Sequence, residues 1–149
     1  MKVFVTVGTT AFDELIKMID NLSMEHSFIF QISKKAKYKP KNYPYFDFTD
    51  NIEKYYNEAD VVLTHSGAGS VYRLLELNKK IIIVPNLFRV DKHQSDLSDF
   101  MKKHCYAIVC DDIKDINKLI DNVDNFGFKK YEFDPFFKKN EILKFIELE

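Results

Sequence analysis

The residues Ser66-Gly67-Ala68-Gly69-Ser70 stand between an apolar run that ends in Thr64-His65 and an amphipathic stretch, Val71 to Leu77. The chain has 4 glycines in 149 residues, and two of them fall at this junction. A glycine loop that opens a helix presents backbone N–H groups and the positive end of the helix dipole, a combination suited to phosphate. Ser70 adds a hydroxyl donor at the same point. Glycine at 67 and 69 permits positive φ and a close backbone approach that a Cβ would block. The same residues also suit a plain strand-to-helix turn with Ser70 as N-cap and no ligand. A second short turn, Gly8-Thr9-Thr10, follows the apolar stretch Val3 to Val7.

Several phosphate-binding chemistries do not fit. A dinucleotide fingerprint needs a third glycine or alanine where Tyr72 stands, and an acid at the end of the next strand, where Val84-Pro85-Asn86 stands. No Gly-Lys-Ser/Thr supplies a P-loop lysine. Thr9 and Thr10 occupy the place where a phosphoacceptor domain carries acids. The ligand expected is a phosphate-bearing molecule that is neither a dinucleotide nor ATP in a P-loop.

Other polar residues have ordinary readings beside functional ones. His65, beside the loop, is either satisfied by backbone or catalytic. His93 adjoins Gln94 at the start of a helix and reads as a ligand contact. The five lysines between 34 and 41 read as a solvated loop, with contact to anionic lipid headgroups as the alternative. Asp111-Asp112 reads as a helix cap, and no ligand spacing points to a metal.

The elements that must position these residues alternate. Strands are expected at Val3 to Val7, Phe28 to Ile32, Phe46 to Phe48, Asp60 to Thr64, Lys80 to Val84 and Tyr106 to Val109. Between them, helices carry the stripes Phe12/Leu15/Ile16/Ile19, Ile52/Tyr55/Tyr56/Ala59, Val71/Leu74/Leu75 and Leu97/Phe100/Met101/His104. Thr10 with Asp13 and Asp50 with Glu53 resemble helix starts, and Asn78 suits a left-handed helix end. Alternating strands and helices predict an α/β, doubly wound, Rossmann-like parallel sheet of about six strands. In the order 3-2-1-4-5-6 the first and fourth strands are neighbours, and the crevice opens beyond their C-terminal ends. Three of the four glycines then lie at that switch point.

At this length one domain is expected, able to bury roughly 70% of its unfolded surface. A formal net charge of −1 with 30% charged residues gives no reason to expect nucleic acid. No basic-then-apolar opening predicts a signal peptide, and no apolar run approaches the roughly 20 residues of a membrane span. Cys105 and Cys110 read as reduced core cysteines of a cytoplasmic protein. Residues 1–125 are expected to form the ligand-binding domain. Residues 126–149, with their aromatic run and the helical stripe Ile142/Leu143/Phe145/Ile146, read as a strap on that domain, a docking element, or both.

Three stretches, VFVTVGTTAFDELI at 3–16, EADVVLTHSGAGSVYRLLEL at 58–77 and IIIVPNLFRVDKHQSDLSDFM at 81–101, resemble glycosyltransferase family 28 over residues 1 to about 110. Within it they resemble the donor-binding subunit of the two-part UDP-GlcNAc transferase of asparagine-linked glycosylation and its bacterial capsule and exopolysaccharide counterparts. The resemblance implies the C-terminal half of a GT-B glycosyltransferase standing as a separate chain. Ser66 to Ser70 would cradle the UDP diphosphate, bordered by Gly8, Thr9 and Thr10. His93 and Gln94 would contact the donor sugar. The family often places Glu, for the uridine ribose, where Arg73 stands; Glu76, one turn later, is the candidate substitute.

The expected activity is inverting transfer of a hexose from a UDP-sugar to a lipid-linked glycan, at the inner face of the membrane and without a metal. A membrane-anchored, acceptor-binding subunit would complete the enzyme and supply the base; His65 and His93 are the only weak candidates in this chain. The alternative is a non-catalytic partner that enhances a transferase subunit without holding sugar nucleotide.

Overall fold

Successive side chains of a strand face opposite sides, so a strand covered on both faces is apolar throughout. The computed structural model describes residues 1–22, 25–86 and 92–132, without the side chains of 92–94, and its central strands have this character. Six strands, β1 (Lys2–Thr6), β2 (Ser27–Gln31), β3 (Tyr45–Phe46), β4 (Val61–Thr64), β5 (Lys80–Ile83) and β6 (Ile108–Val109), form one sheet in the order β3-β2-β1-β4-β5-β6. Every pair is parallel, and β1 meets β4 with Val3 opposite Val61 and Thr6 opposite Thr64. The doubly wound α/β order read from the sequence is the observed one.

Among the described residues five α-helices cover the faces: α1 (Asp13–Asp20), α2 (Ile52–Glu58), α3 (Ala68–Glu76), α4 (Lys92–Lys103) and α5 (Ile116–Asp121). Val3, Val5, Leu63 and Ile82 point to the layer that holds Leu15, Ile16 and Ile19 of α1 and Ile116 and Ile120 of α5. Phe4, Val62, Ile81 and Ile83 point the other way, onto Tyr56, Val71, Leu74 and Met101. Residues 126–132 pass from one layer to the other. Phe126 and Phe128 pack on the first core and Tyr131 on the second, and the Lys129 N–H donates to the Cys105 carbonyl at 2.9 Å. The rest of the aromatic segment and the expected terminal helix lie outside the described residues.

Several element boundaries differ from expectation for local reasons. Thr10 does not cap α1, because its N–H closes a turn onto the Val7 carbonyl at 3.1 Å and the helix begins later, behind Phe12. Asn51, rather than Asp50, caps α2 by accepting from the Lys54 N–H at 3.2 Å. Gly67 occupies the cap of α3, which moves Ser70 into the first turn. Asn78 takes the left-handed conformation expected of it, with φ of 52°. Cys105 does so too, at 56°, and shortens β6 at its start. Both cysteines are free thiols. Burial, with Asp115, Asp111 and Asp112 nearby, pushes Cys110 up to about 11.

The lysine-rich loop after β2 is fastened. Asp20, only 1% exposed, accepts from the Tyr38 hydroxyl (2.6 Å), the Lys41 N–H (2.8 Å) and the Asn42 N–H (3.0 Å). Burial alone would raise this carboxyl, but those bonds and one from the Tyr43 backbone outweigh it and hold it below the ordinary 3.8. A carboxyl depressed in the folded state stabilises above its unfolded value, and that contribution is lost as pH falls through the folded value. Thermal melts across pH should therefore show Asp20→Asn less stable than the parent by about 1–3 kcal/mol near neutrality. The difference should shrink as pH falls below about 4; a pH-independent gap would show that the carboxylate is not the anchor.

Candidate functional site

Two turns leave the C-terminal ends of the central strands side by side, because β1 and β4 are neighbours in register. In the first, Gly8 has φ of +56°, a conformation costly for any residue with a Cβ. Gln31, at the end of β2, holds this turn in place. Its Oε1 accepts from the Thr6 hydroxyl (2.6 Å) and the Gly8 N–H (2.9 Å). Its Nε2 donates to the carbonyls of Gly8 (3.1 Å), Ile32 (3.0 Å) and Asp47 (3.2 Å). One carboxamide therefore joins the ends of β1, β2 and β3.

The second turn is organised by His65, which is 8% exposed. A Cβ on Gly67 would lie 2.8 Å from the imidazole Nε2 and 2.9 Å from Cε1, and one on Gly8 would lie 3.4 Å from the same Cε1. The ring is packed between the two glycine turns. Gly67 does not have positive φ; it is small because the His65 ring lies against it. At Gly69 an added Cβ would meet nothing within 4 Å. Ser66 is buried and its hydroxyl shares a hydrogen bond of 2.8 Å with that of Ser98 on α4. The first intrahelical bond of α3 runs from the Val71 N–H to the Gly67 carbonyl, so the N–H groups of residues 68–70 precede it.

A cleft of about 610 Å³ opens beyond the first half of the sheet. Gly8, Thr9, Thr10 and Ser70 line it together, as do Gln31, Ser33, Lys34 and Lys35 after β2, Asp47, Phe48 and Thr49 after β3, and Tyr56 from α2. Burial holds the Tyr56 phenol above its ordinary range against the lowering effect of its hydrogen bond with Ser70, so it stays protonated. Ser66, Gly67, Ala68 and Gly69 are not among the lining residues. Glu76 lines a different groove, with Asn78, Lys130, Tyr131 and Glu132. It is engaged by Arg73, whose Nη1 donates to it at 2.7 Å while Nε and Nη2 reach Glu53 of α2. The side chains of His93 and Gln94 lie outside the described residues.

Most lining residues from the β2 and β3 ends escaped sequence reasoning. The signal for Gln31 was available: a polar residue closes the apolar Phe28-Ile29-Phe30, in a strand buried on both faces. Nothing local distinguished Lys34 from the other loop lysines, or Phe48 from a strand residue.

A doubly wound parallel sheet with paired turns at its switch point has the fold of one half of a GT-B glycosyltransferase. The chain belongs to the family described as glycosyltransferase family 28 C-terminal domain, whose profile matches residues 2–146. It is similar to the UDP-N-acetylglucosamine transferase subunit ALG13 of Mus musculus, with 30% identity over 125 residues. That alignment covers 73% of this chain and spans only 10% of the mouse protein. Among solved structures, the crystal structure of Acinetobacter baumannii MurG superposes with a TM-score of 0.61 at 19% identity, over 82% of this chain and 41% of that one. The NMR solution structure of ALG13 gives 0.60 at 17% identity, over 97% and 94%. At those identities the two structures speak for the fold.

The packing of His65 yields a stability prediction. Gly67→Ala should destabilise the chain by about 1–3 kcal/mol, since the confined ring cannot move away freely. His65→Ala should relieve most of that penalty, and Gly69→Ala should stay within about 0.5 kcal/mol of the parent. Denaturant melts of the four variants, including the Gly67/His65 double, check this. Equal costs at 67 and 69, or no coupling to His65, would contradict it.

Proposed function

We propose that this chain is the donor-binding subunit of an inverting UDP-sugar hexosyltransferase that extends a lipid-linked glycan in capsular or exopolysaccharide synthesis. It works at the inner face of the membrane with a membrane-anchored, acceptor-binding subunit. The observation that carries the reading is that Gly8, Thr9, Thr10 and Ser70 line one cleft at the switch point of a family 28 fold. Backbone N–H groups at the start of α3, the Ser70 hydroxyl and the helix dipole suit the charge that grows on a departing diphosphate. That stabilisation requires no metal.

In the transfer an acceptor hydroxyl oxygen bonds to the anomeric carbon. The bond from that carbon to the diphosphate oxygen breaks, UDP leaves with the electron pair, and a base takes the acceptor proton. His65 is held between two turns and suits positioning better than proton transfer. The base therefore comes from the acceptor subunit or, within this chain, from His93. Gln94 reads the sugar, with His93 beside it. Ser66 and Gly67 shape the turn, and Ala68 and Gly69 present their N–H groups beside Ser70 at the start of α3. Residues 126–149 serve as strap and docking element. Among the described residues no helix is long and apolar enough to cross a membrane; membrane attachment through the partner is part of the proposal.

One observation favours the accessory reading. Arg73 ties Glu53 and Glu76 into an ion-pair cluster bridging α2 and α3, and so occupies the one carboxylate offered above for ribose. Calorimetry with UDP separates the two readings. The parent should bind UDP. Gly69→Val, which fills the open space at the start of α3, should lose measurable binding while keeping the parent melting temperature. Ser70→Ala should lose about 0.5–3 kcal/mol of affinity. No UDP binding by the parent, alone or with its partner, would favour the accessory reading; unchanged affinity in Gly69→Val would move the diphosphate elsewhere.

A further inference from the structure

We infer that Lys34, with Lys35 beside it, is part of the binding site and supplies the positive charge that meets a nucleoside diphosphate in the cleft. The inference rests on the donor-binding reading. These two are the basic residues among those lining the cleft, which they share with Thr9, Thr10 and Ser70 and with one acid, Asp47. The Lys34 ammonium lies 5.2 Å from the centroid of the Phe48 ring, and Phe48 lines the same cleft while 64% exposed. An aromatic face holds an ammonium in place without cancelling its charge.

Lys39 of the same loop lies 6.0 Å from the Tyr45 ring centroid, away from the cleft lining, and several other cations are paired with acids. Lys54, Arg73, Lys80, Lys102 and Lys118 each meet a carboxylate. Among the described residues no carboxylate pairs with Lys34 or Lys35. Both side chains are exposed, and it is the backbone beneath them that is anchored. Ser33 is 1% exposed and its hydroxyl donates to the Thr9 carbonyl at 2.9 Å while accepting from the Lys35 N–H at 3.1 Å. Further along, the Lys37 N–H donates to Asp13 at 3.0 Å, and Asp20 clamps the end of the loop. The base of the lysine loop is thus bonded directly to the turn that borders the cleft. Ammonium groups without a carboxylate partner among the described residues, in a cleft shared with hydroxyls and a glycine turn, match the chemistry of a diphosphate, which charge-assisted hydrogen bonds recognise.

The test titrates UDP, inorganic diphosphate and uridine into the full chain at low and high salt. The variants are Lys34→Gln, Lys34→Gln/Lys35→Gln, and Lys37→Gln as a control on the same loop. The double variant should bind UDP and diphosphate about tenfold more weakly at low salt, with a shallower salt dependence, and uridine as the parent does. The Lys37 variant should match the parent. A folded double variant with parental UDP affinity and salt dependence would overturn the inference alone. Equal weakening in all three variants would do the same, since it would report net charge rather than these groups. A parent that binds neither UDP nor diphosphate would overturn the inference together with the donor-binding reading.

Discussion

The imidazole of His65, held between Gly8 and Gly67, is the contact on which the site's geometry depends. The β1–β4 pairing brings the two strand ends level, and the ring then sets the distance between the turns that follow them. A larger residue at either glycine would meet the ring or, at Gly8, also adopt a disfavoured backbone. Gly8, His65 and Gly67 therefore act as one packing unit. The arrangement explains why so few glycines suffice.

Around that unit, buried polar groups convert a generic fold into a defined cleft. Gln31 joins three strand ends through five hydrogen bonds, and Asp20 holds the loop that carries the lysines. Such groups are costly to bury unless satisfied, and once satisfied they admit few alternative loop conformations. The cleft is accordingly shaped by polar anchoring at the strand ends, while the apolar layers on either side of the sheet provide most of the stability.

The strand order was legible because each run is short, apolar and separated from the next by a helical period, which leaves few parallel arrangements. The switch-point turns were legible because three of four glycines sit there. The reason for Gly67 was not, since its constraint is a side chain two residues earlier that folds back over it. Side-chain chemistry favours Ser70 as the cap, whereas the cap is Gly67, three residues earlier. The five lysines of the loop are exposed, as the sequence suggests, but its anchor, Asp20, was not legible because it lies on α1 and meets the loop only in three dimensions. Glu76, the sequence candidate for a ribose, is held by Arg73 three residues before it, a pairing that the sequence leaves open.

The central claim is that a nucleoside diphosphate binds at the two turns after β1 and β4 and not elsewhere on the chain. Chemical-shift mapping of the isotopically labelled chain titrated with UDP tests it most directly. The account predicts that the largest amide shifts fall on Gly8, Thr9, Thr10, Gly69 and Ser70, with Ser33 to Lys35 moving alongside. Largest shifts at Glu76, Asn78 and Lys130 to Glu132, which line the other groove, would contradict it.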